Sequence, residues 1–158
     1  MIFSILFSKW LKKRLPARPS PLYSKGSFYD LDQMYEEVNQ EYFDQKLDLK
    51  ITWFGSAKRA AFRVRRLGLY DQRQQLIKIH RLLDNALFPS FFVSYVIYHE
   101  MLHHVCPPVH GKRGRRKVHH AAFYQRERQF RDYALARKWE KENLHRILNC
   151  KEPSYGRS

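Results

Sequence analysis

Apolar residues recur at helical spacing from position 31 to about 43, where Leu31, Met34, Tyr35, Val38 and Tyr42 share one stripe. Asp30 stands just ahead of them as a candidate N-cap, so the segment predicts an amphipathic helix. Four β-like runs follow, at residues 49–54, 60–65, 67–71 and 75–81, with Gly55 and Gly68 as breaks. In the last run Leu76, Ile77 and Ile79 are apolar, while Lys78 and His80 take the opposite parity. A second helical pattern begins after Pro89-Ser90, with apolar positions at 92, 93, 96, 97 and 101, and stops at Pro107-Pro108. A long final helix is expected from about 120 to 148, carrying Phe123, Phe130, Tyr133, Ala134, Leu135 and Trp139. The order of helix, three or four short strands, helix and final helix, without internal repeat, predicts an α+β domain.

At 158 residues the chain has room for one domain and one moderate core. Residues 28–150 are the expected domain, after a segment 1–27 and before a tail 151–158. Positions 1–14 are apolar first and basic second, the reverse of a secretory signal, and the apolar run is too short to span a bilayer. A short amphipathic helix on an anionic membrane, a flexible tail, and a start codon placed upstream of the true one are the three readings of that segment. Pro16, Pro19 and Pro21 then mark a linker. Cys106 and Cys150 are too few for a disulfide framework or a four-cysteine zinc ribbon, so a reducing compartment is expected. The chain is thus expected to be cytoplasmic, or nuclear or nucleoid-associated, and not secreted. Oligomeric state has no signature in the sequence.

The net charge is +15 and it is uneven. Seven of the fifteen acids lie between Asp30 and Asp48, whereas residues 49–70 hold Lys50, Lys58, Arg59, Arg63, Arg65 and Arg66 and no acid. A second basic block is Lys112, Arg113, Arg115, Arg116 and Lys117. Such blocks attract phosphates irrespective of sequence, so DNA or another nucleic acid is a candidate partner. The bland alternative is a solvated face.

The chemistry centres on His99-Glu100-Met101-Leu102-His103. Residues four apart on a helix share a face, so His99 and His103 can grip one metal ion while Glu100 reaches a water beside it. A catalytic zinc wants three protein ligands and an open position. The extension that places a glycine three residues and a histidine six residues beyond HExxH fails here, because Cys106 and Val109 occupy those places. His104 points off the ligand face. His119 and His120 remain, with Glu127 as a carboxylate alternative, and the pattern alone leaves the three open. A structural zinc site would instead need a fourth ligand, from Cys106, His110 or His120.

From about Tyr29 to Phe130 the chain resembles the SprT-like zinc metalloproteases, relatives of the Spartan-type enzymes that digest DNA–protein crosslinks. The resemblance rests on Tyr29-Asp30-Leu31 through Val38-Asn39-Gln40-Glu41-Tyr42-Phe43, on Ile51-Thr52-Trp53, on Leu67-Gly68-Leu69-Tyr70, on Leu76-Ile77-Lys78-Ile79-His80, on the HExxH pentad and on a later His-x-x-x-Phe. It implies a minimal zincin-like domain with His99, His103 and His119 as ligands of one Zn2+, His119 being the histidine four before Phe123. It implies Glu100 as general base in the hydrolysis of peptide bonds, with protein or peptide as substrate. An extended substrate is expected along a strand edge, with residues 75–81 as the candidate edge. Tyr124, Tyr133 and His110 are the candidate donors to the oxyanion. The chain departs from many members in lacking a four-cysteine ribbon, and from the Spartan-type enzymes in lacking their long regulatory tail.

Overall fold

The computed structural model describes residues 21–56, 66–111 and 114–144. The expected run at 60–65, the bases Lys58, Arg59, Arg63, Arg65, Lys112 and Arg113, and residues 1–14 lie outside them. The described residues form a small α+β domain of four helices, a three-stranded sheet and a two-stranded ribbon. No helix among them is long and apolar enough to cross a membrane.

Helix α1 (Leu31–Phe43) starts where Asp30 Oδ1 accepts the N–H groups of Asp32 and Gln33. It ends at Asp44 in the left-handed region, with φ 53°. Of the expected stripe Leu31, Met34, Tyr35 and Val38 are buried and Tyr42 is half-buried, and the buried Asn39 is satisfied by the backbone of Leu47.

Strand β1 (Lys50–Phe54) pairs in parallel with β3 (Leu76–His80), and β2 (Gly68–Asp71) pairs antiparallel with the other side of β3. The order β1-β3-β2 corrects the expectation that residues 75–81 form an edge. Leu76, Ile77 and Ile79 are all buried, so β3 is covered on both faces and its backbone groups have partners on both sides. The edge beside the second helix is β2. Before the expected domain start at Phe28, Tyr23 accepts the Trp53 N–H at 2.8 Å and closes part of the β1 edge.

Helix α2 (Ser90–Val105) runs through the centre, against the sheet and against the other helices. Phe92, Val93, Val96, Ile97 and Met101 are buried, as the pattern requires. Burial of each such side chain stabilises the fold by about 1.5–3 kcal/mol. After α2 the chain forms the ribbon β4 (Val109–His110) and β5 (Arg116–Lys117), then α3 (Ala121–Glu127).

The single long final helix does not form. The chain leaves α3 at Arg128, turns, resumes as α4 (Tyr133–Trp139) and continues as a π-helical turn, Glu140–Leu144. Packing overrides the local pattern here. Phe123, Glu127 and Phe130 are buried in one phase, and Ala136 is buried in another that a straight helix would not align with them. The turn re-phases the chain so that both parts cover α2.

Candidate metal centre

His99 and His103 project from one face of α2 because they are one turn apart, and their ring centroids stand 5.0 Å apart. His119 arrives from the bend between β5 and α3, one residue before the N-cap position held by His120. It completes a cluster in which one ring nitrogen of each histidine lies within 4.8 Å of the others. His119 Nε2 is 3.3 Å from His103 Nε2. Two imidazole nitrogens bound tetrahedrally at about 2.0–2.1 Å from a metal stand about 3.3–3.4 Å apart, so the spacing fits such an ion. The three rings lean on Phe123, whose centroid lies 5.1, 4.9 and 4.6 Å from those of His99, His103 and His119. Phe123 has no exposed surface, so it is a rigid floor for the ligands.

The other candidates resolve by position. Glu127 is not at the vertex of the cluster but behind it, with Oε1 2.7 Å from His99 Nδ1 and 2.9 Å from the Tyr95 hydroxyl. Burial pushes the Glu127 carboxyl up, but the hydrogen bonds from His99 and Tyr95 outweigh it and hold its pKa below the usual range. An ionised carboxylate only accepts, so His99 Nδ1 donates in this hydrogen bond and Nε2 is the nitrogen left for a metal ion. His120 Nε2 sits 3.2 Å from the Pro107 carbonyl instead. His104 turns away, as expected of its place on the helix, and its Nδ1 meets the Tyr70 hydroxyl at 2.7 Å. Cys106 is buried at the end of α2 and His110 is exposed on β4. Among the described residues, no Cys, Asp, Glu or further His joins the three as a fourth ligand.

Glu100 is 6% exposed, lies between α2 and β2, and accepts a hydrogen bond from the backbone N–H of Tyr70. Burial raises its pKa to about 7 against the opposing pull of His99, the Tyr70 N–H and Arg66. Burial also lowers His103 to about 4, with the charges of His99 and His119 adding to the effect, and it lowers His119 in the same way. Both shifts favour the neutral imidazole, the form that a metal ion would bind.

Gly68 on β2 makes the burial of Glu100 possible. A Cβ at position 68 would lie 2.5 Å from Glu100 Oε1 and 2.7 Å from its Cγ, closer than any real contact. A glycine inside a strand pattern is the only signal of this in the sequence. The roles of Glu127, Tyr95 and Tyr70 had no such signal, because each depends on which distant residue it meets.

A cleft of about 880 Å³ opens over the centre. Its floor is the ligand face of α2, and β2 with the preceding Arg66 and Leu67 forms one wall. Pro108, Arg116 and Val118 also line it, as do Arg137 and Glu140. Of the basic residues singled out by charge, Arg66 and Arg116 line the cleft, whereas Arg115 and Lys117 are exposed and do not. The three candidate oxyanion donors, Tyr124, Tyr133 and His110, are all absent from its lining. No protein-family model matches this chain, and neither a curated protein nor a solved structure does.

Proposed function

We propose that the chain is a zinc-dependent endopeptidase of the SprT-like kind. The carrying observation is a set of three convergent imidazoles, with no fourth ligand among the described residues, beside a buried carboxyl that faces an open cleft. Three protein ligands with a free position are the donor set of catalytic zinc, whereas structural zinc is closed by four. Neutral imidazoles suit several first-row metals, and the 3.3 Å nitrogen separation agrees with tetrahedral zinc. Zinc bound there would polarise a peptide carbonyl and bring a water toward neutral acidity.

The chain's own groups supply the rest. Glu100 would receive the proton of the attacking water and deliver it to the leaving amine, and a pKa near neutrality suits both halves of that task. Glu127 and Tyr95 hold the His99 ring and its tautomer. The β2 edge, in place of β3, is where an extended substrate backbone would align. The basic charge supports action on or near nucleic acid, since it lowers the cost of approaching a polyanion.

Metal analysis of the purified full chain, paired with the Glu100→Gln variant, tests this reading. Both proteins should carry one zinc per chain and fold alike, and only the wild type should cleave an unfolded protein such as casein, with or without DNA present. A zinc-loaded wild type as inert as Glu100→Gln would sink the enzyme reading. It would favour the alternative of a non-catalytic, zinc-stabilised protein that binds nucleic acid.

A further inference from the structure

The cleft holds three carboxylates and three guanidinium groups, and the two sets are not equally occupied. Glu127 is held by Tyr95 and His99. Glu140 is ion-paired with Arg137. Glu100 is buried and bonded to the Tyr70 N–H. Every acid in the cleft thus has a partner of its own. Arg66 and Arg116 are both exposed, and neither has a carboxylate within ion-pair distance among the described residues. Arg66 stands ahead of β2, close enough to Glu100 to pull its pKa down, and Arg116 stands on the ribbon three residues before His119. Among the described residues, the cleft over the three histidines therefore has two uncommitted cations in its lining and no uncommitted acid.

From this arrangement we infer that the cleft selects polypeptide segments carrying aspartate or glutamate beside the bond to be cut, with Arg66 and Arg116 as the specificity-determining residues. A guanidinium presents a fork of N–H donors that matches a carboxylate in a bidentate pair. A lysine- or arginine-rich segment would meet two like charges there and find no free acid. A polypeptide is favoured over a nucleic-acid duplex because these two arginines line a cleft of about 880 Å³ at the three histidines, room for a few residues of extended chain and not for a double helix. The remaining bases, Arg115 and Lys117 among them, stay available to phosphates outside it. The inference rests on the peptidase reading of the centre, so its test measures binding apart from cleavage.

The probes are two fluorescein-labelled peptides of one length and sequence, one with aspartates where the other has asparagines, titrated into full-length, zinc-loaded Glu100→Gln protein. An exposed ion pair is worth up to about fivefold in an equilibrium constant, so two pairs should favour the aspartate peptide by roughly tenfold. That preference should shrink as salt is raised. It should collapse toward one in Arg66→Gln/Arg116→Gln and turn toward a lysine peptide in Arg66→Glu/Arg116→Glu. Circular dichroism and zinc content check that these surface variants keep their fold. Equal affinity for the two peptides, or a preference that survives in the double glutamine variant, overturns the inference. So does a double variant that loses a single-stranded oligonucleotide but not the aspartate preference, since the arginines would then be phosphate contacts. Failure of the wild type to cleave either peptide, with the binding preference intact, would strike the peptidase reading and leave the cleft's selectivity standing.

Discussion

Glu127 Oε1 lies 2.7 Å from His99 Nδ1, so a carboxylate on α3 fixes the orientation of an imidazole on α2. The same oxygen takes the Tyr95 hydroxyl at 2.9 Å, which joins the three groups in one hydrogen-bonded line ending at the three-histidine cluster. The line also accounts for the burial of a charged residue at 5% exposure, because both partners donate to it.

Removing the carboxylate should therefore weaken metal binding without removing a ligand. Glu127→Gln is expected to lower zinc affinity by about 10–100-fold, measured by competition with a chromophoric chelator. Tyr95→Phe should cost less, because His99 still holds the carboxylate. An unchanged zinc affinity in Glu127→Gln would show that the contact does not tune the ligand.

Gly68→Ala probes the fit between β2 and Glu100, the proposed general base. The new Cβ would meet Glu100 Oε1 at 2.5 Å, so the carboxyl must move while the three histidines are untouched. A displacement on the scale of 1 Å at reacting groups costs on the order of 100-fold in rate. The variant should keep its zinc and lose most of its turnover of casein. A Gly68→Ala protein with zinc and full activity would place Glu100 outside the reaction.

His119→Ala should abolish stoichiometric zinc, whereas His120→Ala should retain it, because His120 faces the Pro107 carbonyl. Inductively coupled plasma analysis of dialysed protein separates the two. The thermal midpoint of the wild type should fall on chelation, and that of His119→Ala should not respond, since a ligand stabilises only the state that binds it. Zinc lost with His120 and kept without His119 would overturn the assignment.

The pKa of Glu100 gives a pH dependence with a definite sign in the metal-free protein. Its folded value, about 7, lies above the ordinary 4.5, so the folded state binds the proton more tightly than the unfolded chain. Its stabilising contribution is complete below about pH 4.5 and is lost as pH rises toward 7. His103 acts oppositely, since its folded value of about 4 lies below 6.5 and its contribution is lost as pH falls from 6.5 toward 4. Comparison with Glu100→Gln isolates the carboxyl. The variant should gain on the wild type by about 1–3 kcal/mol between pH 5 and pH 8 in urea unfolding with a chelator present. A flat difference across that range would contradict the raised pKa of the buried carboxyl.

Helix α1 and helix α2 were legible because what defines them lies within a few residues. Asp30 caps its own first turn, and the apolar stripes of both helices are buried apart from Tyr42, which is half-buried. The pairing of His99 with His103 belongs to the same class, as does the end of α2 before Pro107. The edge strand was misassigned because the pattern Leu76-Ile77-Lys78-Ile79-His80 reports burial but not which neighbours pair with it. The final helix was misassigned for a related reason: the demands of Glu127 and Phe130 on one side and Ala136 on the other come from α2, not from the segment itself.

Local spacing thus determined the helix that carries two imidazoles and a carboxyl, since an α-helix turns by the same amount wherever it occurs. Only the tertiary structure decided the rest of the centre. It chose His119 over His120, turned Glu127 from a candidate ligand into the support of His99, and set Gly68 against Glu100. Each of these joins residues 16 to 32 positions apart in the chain, where contact follows from packing and not from periodicity.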